Sequence, residues 1–230
     1  YNLCRNLLME NPIQRKYLSS TSGSRLSVAG SGGIIISLRL YVFLFIAILL
    51  FGIASTIWLA KGEDTRMRTQ LMIQARIITA GIDLKKLRSL EGLPSDENLT
   101  DYWELKAQLT AFRAANPMCR FIYVTGIKNE GDVFFLLDSE PVESEEHSPP
   151  GQIYEEASDD FKRVFSTGEP HVEGPLPDRW GNWVSALIPI IVPNSKKVYA
   201  VAGLDMDARD WTINILNHSA PAILTSLLFM

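Results

Sequence analysis

Between Arg39 and Lys61 the chain carries twenty-one consecutive uncharged residues, 40–60, reading LYVFLFIAILLFGIASTIWLA. As a helix rising about 1.5 Å per residue, such a run covers roughly 30 Å, the thickness of a bilayer's hydrocarbon core. Tyr41 and Trp58 stand near its two ends, where amphipathic rings favour the membrane interface. A buried soluble helix rarely runs about six turns without a polar face. A signal peptide has a shorter apolar core, about 7–15 residues, closed by small residues. Here Ile57, Trp58 and Leu59 follow instead. The run predicts an uncleaved membrane anchor.

Charge sets the orientation. Residues 1–61 hold six Lys/Arg and one acid, Glu10, while residues 62–230 hold sixteen Lys/Arg and twenty-five acids. The basic side predicts a flexible cytoplasmic tail over 1–39, with the acidic remainder outside the cell (inner) membrane. An acidic domain of this kind repels phosphates, so no nucleic acid is expected as a partner. Residues 220–230 form a second apolar run, too short to span alone. The chain starts at Tyr1 and stops inside that run, which reads as a truncated second span. The expected layout is tail 1–39, transmembrane helix 40–60, extracytoplasmic domain 61–217, and the start of a second span at 218–230. The Ser/Gly-rich stretch 19–33 has neither a preceding strand nor a following Gly-Lys-Ser/Thr, so it is no phosphate loop.

Within the external part, residues 63–90 predict a long helix with Leu71, Ala75, Ile78 and Ile82 on one stripe. That stripe suits packing on a sheet or pairing with a second copy. Residues 99–115 predict another helix, with Tyr102, Leu105, Leu109 and Phe112 on its apolar face and Asp101 and Glu104 as a capping box. Residues 120–127 and 133–138 read as a hairpin around a Lys128–Asp132 turn. A helix is expected over 153–166, stopped by Gly168. Strands are expected near 172–174, 183–192 and 198–205, the last two joined by a turn at Pro193-Asn194-Ser195. The order predicts an α+β domain, PAS-like in outline, with an antiparallel sheet of about five strands and helices on one face and one end.

The wording of the segments adds a resemblance. FIYVTG followed by VFFLLDSEP, then SPPGQIYEEASDDFKRVFSTGEPHVEGP, then DRWGNWVSALIPI and VYAVAGLDMDARDW, resemble the extracytoplasmic Cache (PAS-like) sensor domains of bacterial receptors. They are similar to the input domains of sensor histidine kinases and diguanylate cyclases, over about residues 60–217. The resemblance implies a sensor that binds a small extracytoplasmic molecule, pairs as a homodimer and signals to an output module beyond Met230. A chemoreceptor output fits the same input, and so does an anchored binding or assembly protein with no output. The Arg and aromatic cluster of two-module amino-acid receptors is not visible on the long helix.

Candidate ligand residues follow from chemistry. Arg179, Trp180 and Trp183 set a cation beside two indoles, suited to a carboxylate or a planar ligand. Tyr123 and Tyr154 offer hydroxyls on apolar elements. Asp205, at the end of the last strand, suits an amine, and Asp207 suits an N-cap near Ala208. Asp138, Glu140, Glu143, Glu145 and Glu146 make an acidic cluster that reads as a solvated loop rather than a calcium site. Cys119 reads as a buried thiol, and His147, His171 and His218 show no zinc spacing. No metal, no cofactor and no catalytic residue are expected. A hydrolase built on Asp205, Asp138 and a histidine would need them in one pocket, and no nucleophile motif accompanies them.

Overall fold

The computed structural model describes residues 31–128, 131–193 and 197–228. Most of the tail, part of each of the two predicted turns, and residues 229–230 lie outside the described residues. The chain falls into two units, Tyr1–Leu49 and Leu50–Met230. Helix α1 runs Ser31–Gly81. Among the described residues it alone is long and apolar enough to cross a membrane. Its side chains from Leu38 to Phe51 are all exposed, which excludes a buried core helix there.

In the second unit, helices α2 (Leu84–Leu87), α3 (Thr100–Ala115), α4 (Asp159–Thr167) and α5 (Ala208–Leu228) accompany five strands. These are β1 (Phe121–Ile127), β2 (Val133–Asp138), β3 (His171–Asp178), β4 (Gly181–Ile191) and β5 (Val198–Asp207). The sheet order is β2-β1-β5-β4-β3, with every pair antiparallel. Side chains alternate across a strand, so each strand serves both faces. Ile122, Val124, Val184, Ala186, Ala202 and Leu204 meet Leu71, Ala75, Ile78, Tyr102, Leu105 and Leu109 in the larger core. Burying each large aliphatic group there contributes about 1.5–3 kcal/mol. Phe121, Tyr123, Phe135, Leu187 and Val201 form the other face with Ala157, Phe161 and Val164.

The stripe Leu71, Ala75, Ile78 and Ile82 is therefore core, at most 9% exposed. Three expectations need correction. The long helix stops at Gly81, because the Asp83 carboxylate caps α2, accepting from the Lys85 N–H at 2.8 Å. The capping box at Asp101 and Glu104 does not form, since Leu99 is the N-cap. Asp101 accepts instead from the Ser89 hydroxyl at 2.9 Å, and Glu104 pairs with Lys86. The third helix starts at Asp159, not 153, because residues 151–154 bond to the edge strand β2. Ser158 caps it, accepting from the Phe161 N–H at 2.8 Å, and Gly168 ends it at φ 69°. Helices consequently cover both faces of the sheet, α4 on the second one.

Candidate ligand pocket

The second sheet face carries a pocket lined by Phe121, Tyr123, Phe135, Asp138, Glu146, Ser148, Tyr154, Asp178, Trp180 and Asp205. Its walls come from three sources. The strands give Phe121, Tyr123, Phe135, Asp138 and Asp205 (β1, β2 and β5). The connection from β2 to α4 gives Glu146, Ser148 and Tyr154, and returns along β2 like a sixth strand. In that return the Phe135 N–H donates to the Gln152 carbonyl at 2.9 Å and the Tyr154 N–H to Val133 at 2.8 Å. The tip of the β3–β4 hairpin gives Asp178 and Trp180. The space open to a water's centre is about 20 Å³, room for about one water.

Five rings surround this space. Phe135 is their hub, with centroids 5.6 Å from Tyr123, 5.5 Å from Tyr154 and 5.9 Å from Trp180. Gly203 makes the packing possible. A Cβ on it would lie 2.1 Å from the Tyr123 ring, so only glycine lets that ring lie across β5.

Four carboxylates line the pocket, and among the described residues no Lys or Arg does. Asp138 is buried and neutralised: Lys106 Nζ lies 2.7 Å from its Oδ1, His147 Nδ1 lies 2.9 Å away, and the Ser148 N–H donates at 2.7 Å. Glu146 pairs with Arg120. Among the described residues Asp178 receives neutral donors: the N–H groups of Trp180 (2.8 Å) and Gly181 (3.0 Å), the Trp183 indole (2.8 Å) and the Tyr154 hydroxyl (3.2 Å). Asp205 is 4% exposed and accepts from the Tyr123 hydroxyl at 3.1 Å. Burial, reinforced by the charges of Asp178 and Glu173, pushes its carboxyl up to about 7, against hydrogen bonds from Ser185 and Tyr123. Burial also raises the Tyr123 and Tyr154 hydroxyls, with nearby carboxylates adding to it, so both stay protonated donors.

Of the residues singled out in the sequence, Tyr123, Tyr154, Trp180 and Asp205 meet in this pocket. Arg179 and Trp183 do not line it. Arg179 makes a two-pronged ion pair with Glu156, both contacts 2.8 Å, and lies over the Trp180 ring. Trp183 sits behind the pocket, edge-on to Phe121 at 5.0 Å. Asp207 caps α5, accepting from the Arg209 N–H at 2.6 Å. Cys119 is buried, as expected.

Sequence reasoning missed Asp178, whose Pro-Asp-Arg-Trp-Gly setting marks a hairpin tip. It also misread the acidic loop: Asp138 and Glu140 are buried, at 5% and 4%. Both are drawn in by cations on α3, Lys106 and Arg113. Asp205 and Asp138 do share the pocket, and His147 adjoins Asp138. The His147 Nε2 makes no hydrogen bond among the described residues.

No protein-family model matches the chain, and no curated protein matches it in sequence. Solved structures do match. The ligand-binding domain of the Campylobacter jejuni chemoreceptor Tlp3, in complex with 4-methylisoleucine, superposes with a TM-score of 0.50 at 15% identity, covering 76% of this chain and 63% of that one. The sensory domain of the same chemoreceptor gives 0.49 at 14% identity, over 76% and 67%. The extracellular domain of mmHK1S-Z2, described as a histidine kinase, gives 0.43 at 12%, over 70% and 62%. This chain thus spans less than two thirds of the first neighbour's length. At such identities the likeness is one of fold: the chain shares with the Tlp3 ligand-binding domain an α+β architecture, here a long helix on a five-stranded antiparallel sheet.

Proposed function

We infer that this chain is the sensory input portion of a membrane signal-transduction receptor, and that its pocket takes a small organic ammonium. One observation carries the ligand class: Asp178 and the buried Asp205 face an aromatic pocket, and neither makes an ion pair among the described residues. Buried anions are stable when a cation meets them, and aromatic faces add attraction for an ammonium group. Tyr123 and Tyr154 orient the two carboxylates, Trp180 supplies a ring, and Trp183 fixes Asp178 from behind. Arg179 anchors the hairpin tip to Glu156. Structures of the Tlp3 domain hold isoleucine and L-valine, small aliphatic molecules with an amine. That fits the same kind of pocket.

The proposed layout keeps residues 1–39 cytoplasmic, 40–60 spanning, 61–217 outside as the sensor, and 218–230 entering a second span, in a homodimer in the cell membrane. The exposed apolar side chains of α1 support the span. A relay is available where the entry and exit helices meet. The Trp211 indole on α5 donates to Asp64 on α1 at 2.9 Å, and Arg68, which pairs with Asp64, donates to the Gly174 carbonyl of β3 at 2.7 Å. A ligand that shifts β5 or the hairpin tip acts on this knot if it binds one arrangement better than the other. A histidine kinase, a diguanylate cyclase or a chemoreceptor module would receive the signal.

The test is calorimetric titration of the full chain in detergent micelles with isobutylamine and, as its anionic counterpart, isobutyrate. The amine is expected to bind and the acid not, with Asp178→Asn weakening the amine about tenfold or more. Binding of isobutyrate alone would refute the ammonium pocket.

A further inference from the structure

At the pocket's mouth, two arginines crowd one buried carboxylate. Arg113 and Arg120 both pair with Glu140, whose side chain is only 5% exposed, and Arg120 Nη1 lies 2.7 Å from it. This trio carries one positive charge in excess. Glu146 supplies the balancing charge from the β2–α4 connection, where its side chain is 40% exposed. Glu146 itself lines the pocket. The Arg120 guanidinium lies 4.2 Å over the ring of Phe121, another lining residue, and the Arg120 N–H donates to the Asp205 carbonyl at 2.8 Å. An anion seat therefore stands beside the proposed ammonium seat, and a loop carboxylate occupies it.

We propose that Arg120 is the anion-recognising residue of the pocket, and that Glu146 holds the place of a ligand carboxylate, which displaces it on binding. This rests on the ammonium reading above and narrows it to zwitterions. Two consequences meet in one motion. The present space holds about one water, far too little for an amino acid. Releasing Glu146 from Arg120 withdraws one lining side chain and enlarges the pocket while His147 and Ser148 stay bonded to Asp138, and the incoming carboxylate restores the charge balance at Arg113, Arg120 and Glu140. Glu140 remains held by Arg113, so the exchange leaves the buried carboxylate paired. Guanidinium suits this role because its planar fork accepts one carboxylate in place of another without changing geometry.

The test uses a matched pair of probes, L-valine and isobutylamine, which differ by the carboxylate, titrated into the full chain in micelles. Arg120→Gln is expected to weaken L-valine about tenfold or more while isobutylamine stays within about twofold. Glu146→Gln, a change at a partly exposed loop side chain that does not threaten folding, is expected to tighten L-valine several-fold and leave isobutylamine almost unchanged. If isobutylamine binds and the ratio between the two probes moves in neither variant, this inference falls and the ammonium pocket stands. If neither probe binds the wild-type chain, both fall.

Discussion

Protonation of Asp205 should govern both ligand affinity and stability, and in opposite directions. Its carboxyl moves from an ordinary 3.8 to about 7, chiefly through burial. Between those values the folded state holds a proton that the unfolded chain releases. Its contribution to stability is thus greatest below pH 4 and is lost as pH rises toward 7. The full cost of the buried carboxylate is about 4 kcal/mol above pH 7, taken as an upper bound. An ammonium ligand needs the charged form. Its affinity should be flat above pH 8 and fall by up to about tenfold per pH unit below 7, so about 100-fold between the plateau and pH 5. Isobutylamine stays protonated throughout this window, so the ligand contributes no slope. Calorimetric titration at pH 5.5, 6.5, 7.5 and 8.5 reads the profile, and urea unfolding at the same values reads the stability. Asp205→Asn should flatten the affinity profile, lower the plateau affinity, and raise stability at pH 8. Equal dissociation constants at pH 5.5 and 8.5 in the wild-type chain would show that Asp205 carries no charge toward the ligand, and would refute the reasoning.

Three further outcomes are expected. Trp183→Phe removes the indole donor to Asp178 while keeping the ring against Phe121, so the amine should weaken several-fold with the thermal midpoint little changed, read by titration and calorimetric melting. Lys106→Met leaves Asp138 buried without its cation and should cost about 3–5 kcal/mol in urea unfolding, much of which Lys106→Met combined with Asp138→Leu should recover. Gly203→Ala drives a methyl into the Tyr123 ring and should cost about 1–3 kcal/mol while abolishing amine binding, since the ring cannot keep its place over Asp205.

The sheet and the core helices were legible because their signals are periodic and local. Tyr102, Leu105 and Leu109 recur at helical spacing, and the strand segments are β-branched and aromatic. Gly168 marks a helix end by a conformation that other residues rarely adopt. The pocket was half legible for a related reason. Tyr123 and Asp205 are unusual residues on strands whose register places them, and Trp180 sits at the tip of a hairpin that the Gly181 turn marks. The acidic loop from 138 to 148 gave the opposite impression. Five carboxylates in one stretch, with two prolines following, look solvated when only near neighbours in sequence are weighed. Their fate is decided by Lys106 and Arg113 on α3 and by Arg120 at the start of β1. Lys106 is 32 residues from Asp138 and Arg113 is 27 from Glu140. A long-range pairing of that kind leaves no periodic trace. The same arithmetic that made the loop look solvated now gives it a purpose. With Asp138 and Glu140 paired to Lys106 and Arg113, and with His147 and Ser148 holding the loop to Asp138, the more exposed Glu146 is the carboxylate free to exchange for that of a ligand.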